Sequence, residues 1–263
     1  VKPSLRFAKR DRARVTKDCI PGPGSSKLVR CVDGDRQGGV RIVLMGDSHA
    51  TMLYDPIRRA GATEGWRVET MLKGSCIPLL GSMNLSQWNR DRGRACRAWR
   101  IKAFDHLAAN PPDLLILIGN DNAVFVDGKG RTLPRSQQPA AWRKGIRRIS
   151  DRLSSKTTLL ALGDVPDTKG NPTLCLKADR RDMSRCTTRR KPLPSRTVER
   201  AVRAVVAEEG QRFGTLHDQI CPYDPCPVIQ GQKLIWRSHG HLSATFARKL
   251  TPSLRKIIRG ALE

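Results

Sequence analysis

Residues 41–50 read RIVLMGDSHA, an apolar run that ends without a polar spacer in Gly-Asp-Ser-His. An unbroken apolar run of strand length marks a β-strand covered on both faces, as in a parallel sheet. The turn then leaves Ser48 where the strand has ended, and helix-like spacing continues from it to about Ala62. A hydroxyl so placed is exposed at the rim of a sheet. The helix N-terminus behind it offers backbone N–H groups and the positive end of a dipole to a developing oxyanion.

The same alternation extends along the chain. WRVETML (66–72), DLLILIG (113–119), TTLLALGDVP (157–166) and RFGTLHD (212–218) read as further strands. Between them, IKAFDHLAA (101–109), AAWRKGIRRISDRL (140–153) and SRTVERAVRAVVAEEG (195–210) carry helical spacing, the last with Ser195 as its cap. LSATFARKLTPSLRKIIRGAL (242–262) reads as a basic closing helix interrupted by Pro252. Strands alternating with helices predict a five-stranded, mainly parallel sheet with helices on both faces, whose functional groups lie beyond the carboxyl ends of the strands. GDSH (46–49), KGSC (73–76), GNDN (119–122) and GDVP (163–166) all fall there. Residues 1–38 read as a basic lead-in or linker stapled to one domain at 39–263. The aperiodic stretch 167–194 is long enough to be functional or tied down.

Composition narrows the function classes. The 263 residues hold 49 Lys and Arg against 24 Asp and Glu, a net charge of +25, which attracts anionic surroundings. Aromatics are only 5%, and no helix-turn-helix, zinc-finger or aromatic RNA-binding signature is present, so nucleic acid is disfavoured. The basic residues are spread rather than clustered, which suits an anionic cell-envelope glycan or glycolipid. No apolar run reaches 18 residues. The eight Cys lack the Cys-x-x-Cys spacing of zinc sites and lie as four near pairs, Cys19 with Cys31, Cys76 with Cys96, Cys175 with Cys186 and Cys221 with Cys226. Four local disulfides place the chain in an oxidising, extracytoplasmic compartment. The five Trp read mostly as core, with a sugar-stacking platform as the functional alternative.

A Ser nucleophile needs a base, and RSHGHLSATFARKL offers His239 and His241 just before the last helix. GDSHA after an early strand, KGSC after the second and HLSATFA before the terminal helix together resemble the SGNH hydrolase superfamily. The likeness is closest to the extracytoplasmic SGNH domain of the acyltransferase-three family of membrane O-acyltransferases. GDVP followed by a Cys-bearing loop, and CPYDPCP (221–227) ahead of the HLS element, add to it. The resemblance spans roughly residues 30–255 and implies a three-layer α/β/α sandwich with a flavodoxin-like sheet.

It also implies roles. Ser48 is the nucleophile, His241 the base, and the N–H groups of Ser48 and Gly74 donate to the oxyanion. The superfamily's Asn donor follows Gly with one residue between, whereas Gly119 here is followed by Asn120, Asp121 and Asn122, leaving Asn120 and Asn122 as candidates. The closing element of the family is Asp-x-x-His, but Ser238 stands three residues before His241. The site is therefore a dyad, takes an acid such as Asp218 or Asp224, or is degenerate. No metal or organic cofactor is required. The implied activity is transfer of an acyl group, acetyl in the simplest case, from a donor delivered by an N-terminal membrane domain of the same protein. It would pass through acyl-Ser48 to a glycan hydroxyl, with weak esterase activity and a monomeric state for the isolated domain. The alternative is a degenerate SGNH scaffold that only binds glycan.

Overall fold

The computed structural model describes residues 1–81, 90–123, 125–126, 131–179, 181–191 and 196–263. Its main sheet comprises β1 (Cys31–Gly34), β2 (Val40–Gly46), β3 (Trp66–Leu72), β4 (Leu114–Ile118), β5 (Thr158–Leu162) and β6 (Arg212–Gly214), in the order β1-β3-β2-β4-β5-β6. Strands β2 to β6 are mutually parallel as the alternation predicts, in the flavodoxin-like order that the resemblance implies. The sixth strand, β1, adds antiparallel to the β3 edge. It comes from the segment read as a lead-in. CVDG is short and half-buried throughout, so it carries no apolar run to announce it.

Helices α1 (Ser48–Glu64), α2 (Arg90–Ala109), α3 (Gln138–Ser150), α4 (Pro172–Ala178), α5 (Thr197–Glu208), α6 (His217–Ile220), α7 (Ala244–Ala247) and α8 (Thr251–Leu262) complete the layers. The apolar run of β2 explains why two helical layers are needed. Ile42 and Leu44 face a core with α1 and α8, while Val43 and Met45 face one with α2, α3 and α5. Each such side chain, fully buried, contributes about 1.5–3 kcal/mol relative to exposure.

Between α6 and α7 lie two small antiparallel pairs, β7 (Ile229–Gln230) with β8 (Lys233–Leu234), and β9 (Trp236–Ser238) with β10 (His241–Leu242). The RFGTLHD strand is shorter than expected, because the chain turns into α6 at His217. The closing helix does break, but at residues 248–250; Pro252 occupies the first turn of α8, where its missing N–H is harmless. The Ser195 cap and Trp88 lie outside the described residues. The other four Trp are at most 5% exposed and belong to the core, which removes them as a sugar platform.

All four disulfides form as paired above. Further ties hold the N-terminal segment to the domain. The backbone of Lys2 pairs with Gln232 and Leu234, and Asp11 accepts from the N–H groups of Ala244 and Thr245 at the start of α7. Among the described residues, no helix is long and apolar enough to cross a membrane.

Candidate active site

Gly46 closes β2 because nothing larger fits: a Cβ there would lie 2.0 Å from the carbonyl oxygen of Ile118 on β4. The chain then turns into α1 at the point where strand order reverses, between β3 and β4. The cap of α1 is Asp47, whose carboxylate accepts from the N–H of His49 at 2.8 Å and from that of Asn120 at 3.1 Å. Ser48 is left free of the capping role. As the first helical residue, its N–H has no acceptor within the helix.

His241 arrives on β10, after a turn in which Gly240 takes φ 64°, a left-handed conformation that suits glycine. Its Nε2 lies 3.0 Å from Ser48 Oγ and its Nδ1 lies 2.9 Å from the carbonyl oxygen of His239. A carbonyl only accepts, so Nδ1 carries the proton and Nε2 presents its lone pair to the Ser48 hydroxyl. That is the tautomer a general base requires. Burial, with the nearby charges of His49 and Arg237, pushes His241 down to about 4, against the pull of the His239 carbonyl.

No carboxylate bonds this imidazole among the described residues. Ser238 stands opposite His241 in the β9–β10 pairing. Asp218 and Asp224 are both engaged by Arg190, Asp218 by the guanidinium and Asp224 by the backbone N–H. The carboxylate that does reach an imidazole here is Asp164 of GDVP. Its Oδ1 lies 2.5 Å from Nδ1 of His49, and the His49 ring centroid is 5.0 Å from that of His241. Burial would lower His49, but the charge and hydrogen bond of Asp164 beside it, with Asp47 behind, lift it to about 9. His49 is thus a buried cation at neutral pH, held in an ion pair. Asp121 is pushed up to about 8 by burial and by the charges of Asp164 and Asp167, so it stays largely protonated.

Four candidate oxyanion donors meet different fates. The N–H of Gly74 makes no hydrogen bond among the described residues, like that of Ser48. Asn122 spends its side-chain amide on Asp167 Oδ1 at 2.7 Å. Asn120 accepts with its side-chain oxygen from the N–H of Asn122 at 2.9 Å, and its NH₂ has no partner among the described residues. Both side-chain N–H groups of Asn120 are thus uncommitted there, whereas Asn122 has committed one of its two.

His49, Asn120, Asp164, His239 and His241 line one cleft of about 520 Å³. The neighbouring Lys73 of KGSC is 1% exposed, and its ammonium donates to the carbonyls of Gly22, Pro23 and Ser25 at 3.0, 3.2 and 2.7 Å. Neither the His49–Asp164 pair nor this use of Lys73 is visible as a motif, although GDVP at a strand end marked the place of Asp164. No group of three or more His, Cys, Asp or Glu suited to a metal ion occurs among the described residues.

The family described as "SGNH domain (fused to AT3 domains)" matches residues 15–256. Among solved structures, the chain is similar to the periplasmic domain of a lipopolysaccharide acetyltransferase from Salmonella serovar Paratyphi A. The identity is 15%, 98% of each chain is covered, and the TM-score is 0.68. More distant likenesses include an aryl esterase of M. smegmatis (13% identity, 85% of this chain and 100% of that one, TM-score 0.49). Another is a catalytic mutant of an acetylxylan esterase of Geobacillus stearothermophilus (12% identity, 85% and 96%, TM-score 0.46). No curated protein matches the chain.

Proposed function

We propose, from the premise that this chain belongs to the family of SGNH domains fused to AT3 domains, that it is a serine acyltransferase acting outside the cytoplasm on a cell-envelope glycan or glycolipid. The observation that carries this reading is the 3.0 Å approach of His241 Nε2 to Ser48 Oγ, across 193 residues of sequence. In the first half-reaction Ser48 Oγ attacks the acyl carbonyl carbon as its proton passes to Nε2. The oxyanion faces the N–H groups of Ser48 and Gly74 and the amide of Asn120. Collapse forms acyl-Ser48, and the leaving group takes the proton from His241. In the second half-reaction an acceptor hydroxyl gives its proton to Nε2 and attacks the ester, releasing Ser48. Water in place of the acceptor makes the domain an esterase.

The donor in this scheme is an acyl group, acetyl in the simplest case, supplied by a membrane domain of the same protein. Four disulfides support an oxidising compartment. A second reading, a degenerate scaffold that only holds glycan, draws on the absence of a carboxylate at His241 among the described residues. Labelling by a fluorophosphonate, with hydrolysis of 4-nitrophenyl acetate, separates the two. The acyltransferase reading expects both, and expects both to disappear in Ser48→Ala and His241→Gln. A wild-type protein that neither labels nor hydrolyses is the binding module.

A further inference from the structure

The cleft that holds Ser48's partner His241 extends past Asp167 to Arg135, Lys169, Thr188 and Lys191. Its cations differ in how they are spent. Lys191 is neutralised by Asp167 at 2.5 Å. Arg135 and Lys169 are exposed and have no carboxylate partner among the described residues. An unpaired cation on an exposed helix is ordinary, but two of them on the walls of one cleft that also contains the reacting imidazole are not placed by packing.

The presentation of Lys169 is also built rather than loose. Its backbone N–H donates to Thr188 Oγ1 at 2.8 Å, and Thr168 beside it bonds Gly170 and Gly240, the latter in the turn that carries His241. Thr188 in turn bridges to Cys226, and it lies two residues past the Cys175–Cys186 disulfide. The described residues 167–179 and 181–191 are thereby tied to two disulfides, and Lys169 lines the cleft. Arg135 lines the same cleft and also a second hollow of about 400 Å³, in which Arg143 is neutralised by Glu208 at 2.8 Å.

Resting on the assignment of Ser48 and His241 as the reacting pair, we infer that Arg135 and Lys169 form an anion-binding subsite that holds the acceptor by a carboxylate or phosphate of an anionic glycan. Arg135 supplies a planar fork that suits either oxyanion and Lys169 a point charge. The group they hold lies beside the hydroxyl that receives the acyl group and takes no part in bond making. The subsite selects which glycan is presented, and the diffuse charge of the rest of the surface does not.

The test is binding by affinity electrophoresis to polygalacturonate (carboxylate), phosphomannan (phosphate) and neutral mannan. It compares the wild type, Arg135→Ala/Lys169→Ala, and the equal-charge control Arg36→Ala/Lys256→Ala, which removes two exposed cations away from the cleft. The cleft variant is expected to bind one or both anionic polymers about tenfold more weakly, the loss of a charge-assisted contact. The polymer affected identifies the anion, and the control variant should keep wild-type affinity. Equal losses in both variants, or none in the cleft variant, overturn the subsite. Acetylated polygalacturonate and acetylated mannan read the same point in turnover, as a fall in the ratio of kcat/KM for the anionic ester to that for the neutral one. A wild type that hydrolyses no 4-nitrophenyl acetate sinks the acyltransferase reading, while the binding comparison still decides the subsite.

Discussion

His241 Nδ1 lies 2.9 Å from the carbonyl oxygen of His239, so the imidazole facing Ser48 is oriented by its own hairpin backbone. A carbonyl fixes the tautomer as well as a carboxylate does. It brings no negative charge to balance the imidazolium that forms in the transition state.

The first prediction follows from that distinction. With His241 held down to about 4, the base is neutral and competent well into the acid range, so the acidic limb of kcat/KM should lie near pH 4. Ser238→Asp places a carboxylate opposite His241, favours the imidazolium, and should move the limb to higher pH by about one unit while raising turnover about tenfold. A pH–rate profile on 4-nitrophenyl acetate reads both. A wild-type limb near pH 6.5 would mean that His241 is not shielded as described.

Ser48 and Asp47 should separate chemistry from stability. Ser48→Ala is expected to lower turnover by about four orders of magnitude or more. Its unfolding free energy should stay within about 0.5 kcal/mol of wild type, because the hydroxyl caps nothing. Asp47→Ala removes the cap of α1 and the acceptor of the Asn120 N–H, and should cost about 2 kcal/mol in urea unfolding. Comparable losses of stability in both variants would show that Ser48 has a structural role.

The buried His49–Asp164 pair makes stability fall on the alkaline side. Folded His49 keeps its proton to about pH 9, whereas an unfolded His releases it near 6.5, so this contribution is complete below pH 6.5 and lost as pH rises through 9. Asp121, raised from 3.8 to about 8, acts in the same sense at lower pH. Asp164→Asn removes the charge that holds the His49 proton, and should flatten the dependence between pH 7 and 9 as well as lower stability overall. Chemical denaturation at a series of pH values measures the slope, and an unchanged slope in the variant removes the ion pair from the account.

Lys73→Met keeps the length of the side chain but leaves the carbonyls of Gly22, Pro23 and Ser25 without their donor. The expected cost is about 2–3 kcal/mol, because buried acceptors left unpaired are expensive. Limited proteolysis should show new cleavage near residues 22–25, and resistance equal to wild type would mean that the disulfide Cys19–Cys31 alone secures this segment.

Much of this was legible in the sequence. VRIVLMG alternates its side chains between two covered faces, and its apolar run needs both, so the parallel sheet could be read directly. The approach of His241 to Ser48 was legible because strand-turn-helix and HLS are local patterns that the resemblance joins. Ser238 three residues before His241 was legible for the same reason, and no carboxylate bonds that imidazole among the described residues. That Asn122 rather than Asn120 bonds Asp167 was not legible, because the partner lies 45 residues away. The pairing of His49 with Asp164 spans 115 residues and leaves no periodic trace. Strand β1 escaped because an edge strand of four half-buried residues has nothing apolar to repeat.

The bracing of the β10–α7 segment by Asp11 has a consequence in time. His241 follows Ser48 by 193 residues, so during synthesis α1 and its flanking strands can form before that segment exists. Asp11 must wait for Ala244 and Thr245 before the segment bearing the base is held. Through the synthesis of those 193 residues Ser48 therefore has no His241 beside it, and the proposed pair can assemble only once Thr245 has left the ribosome.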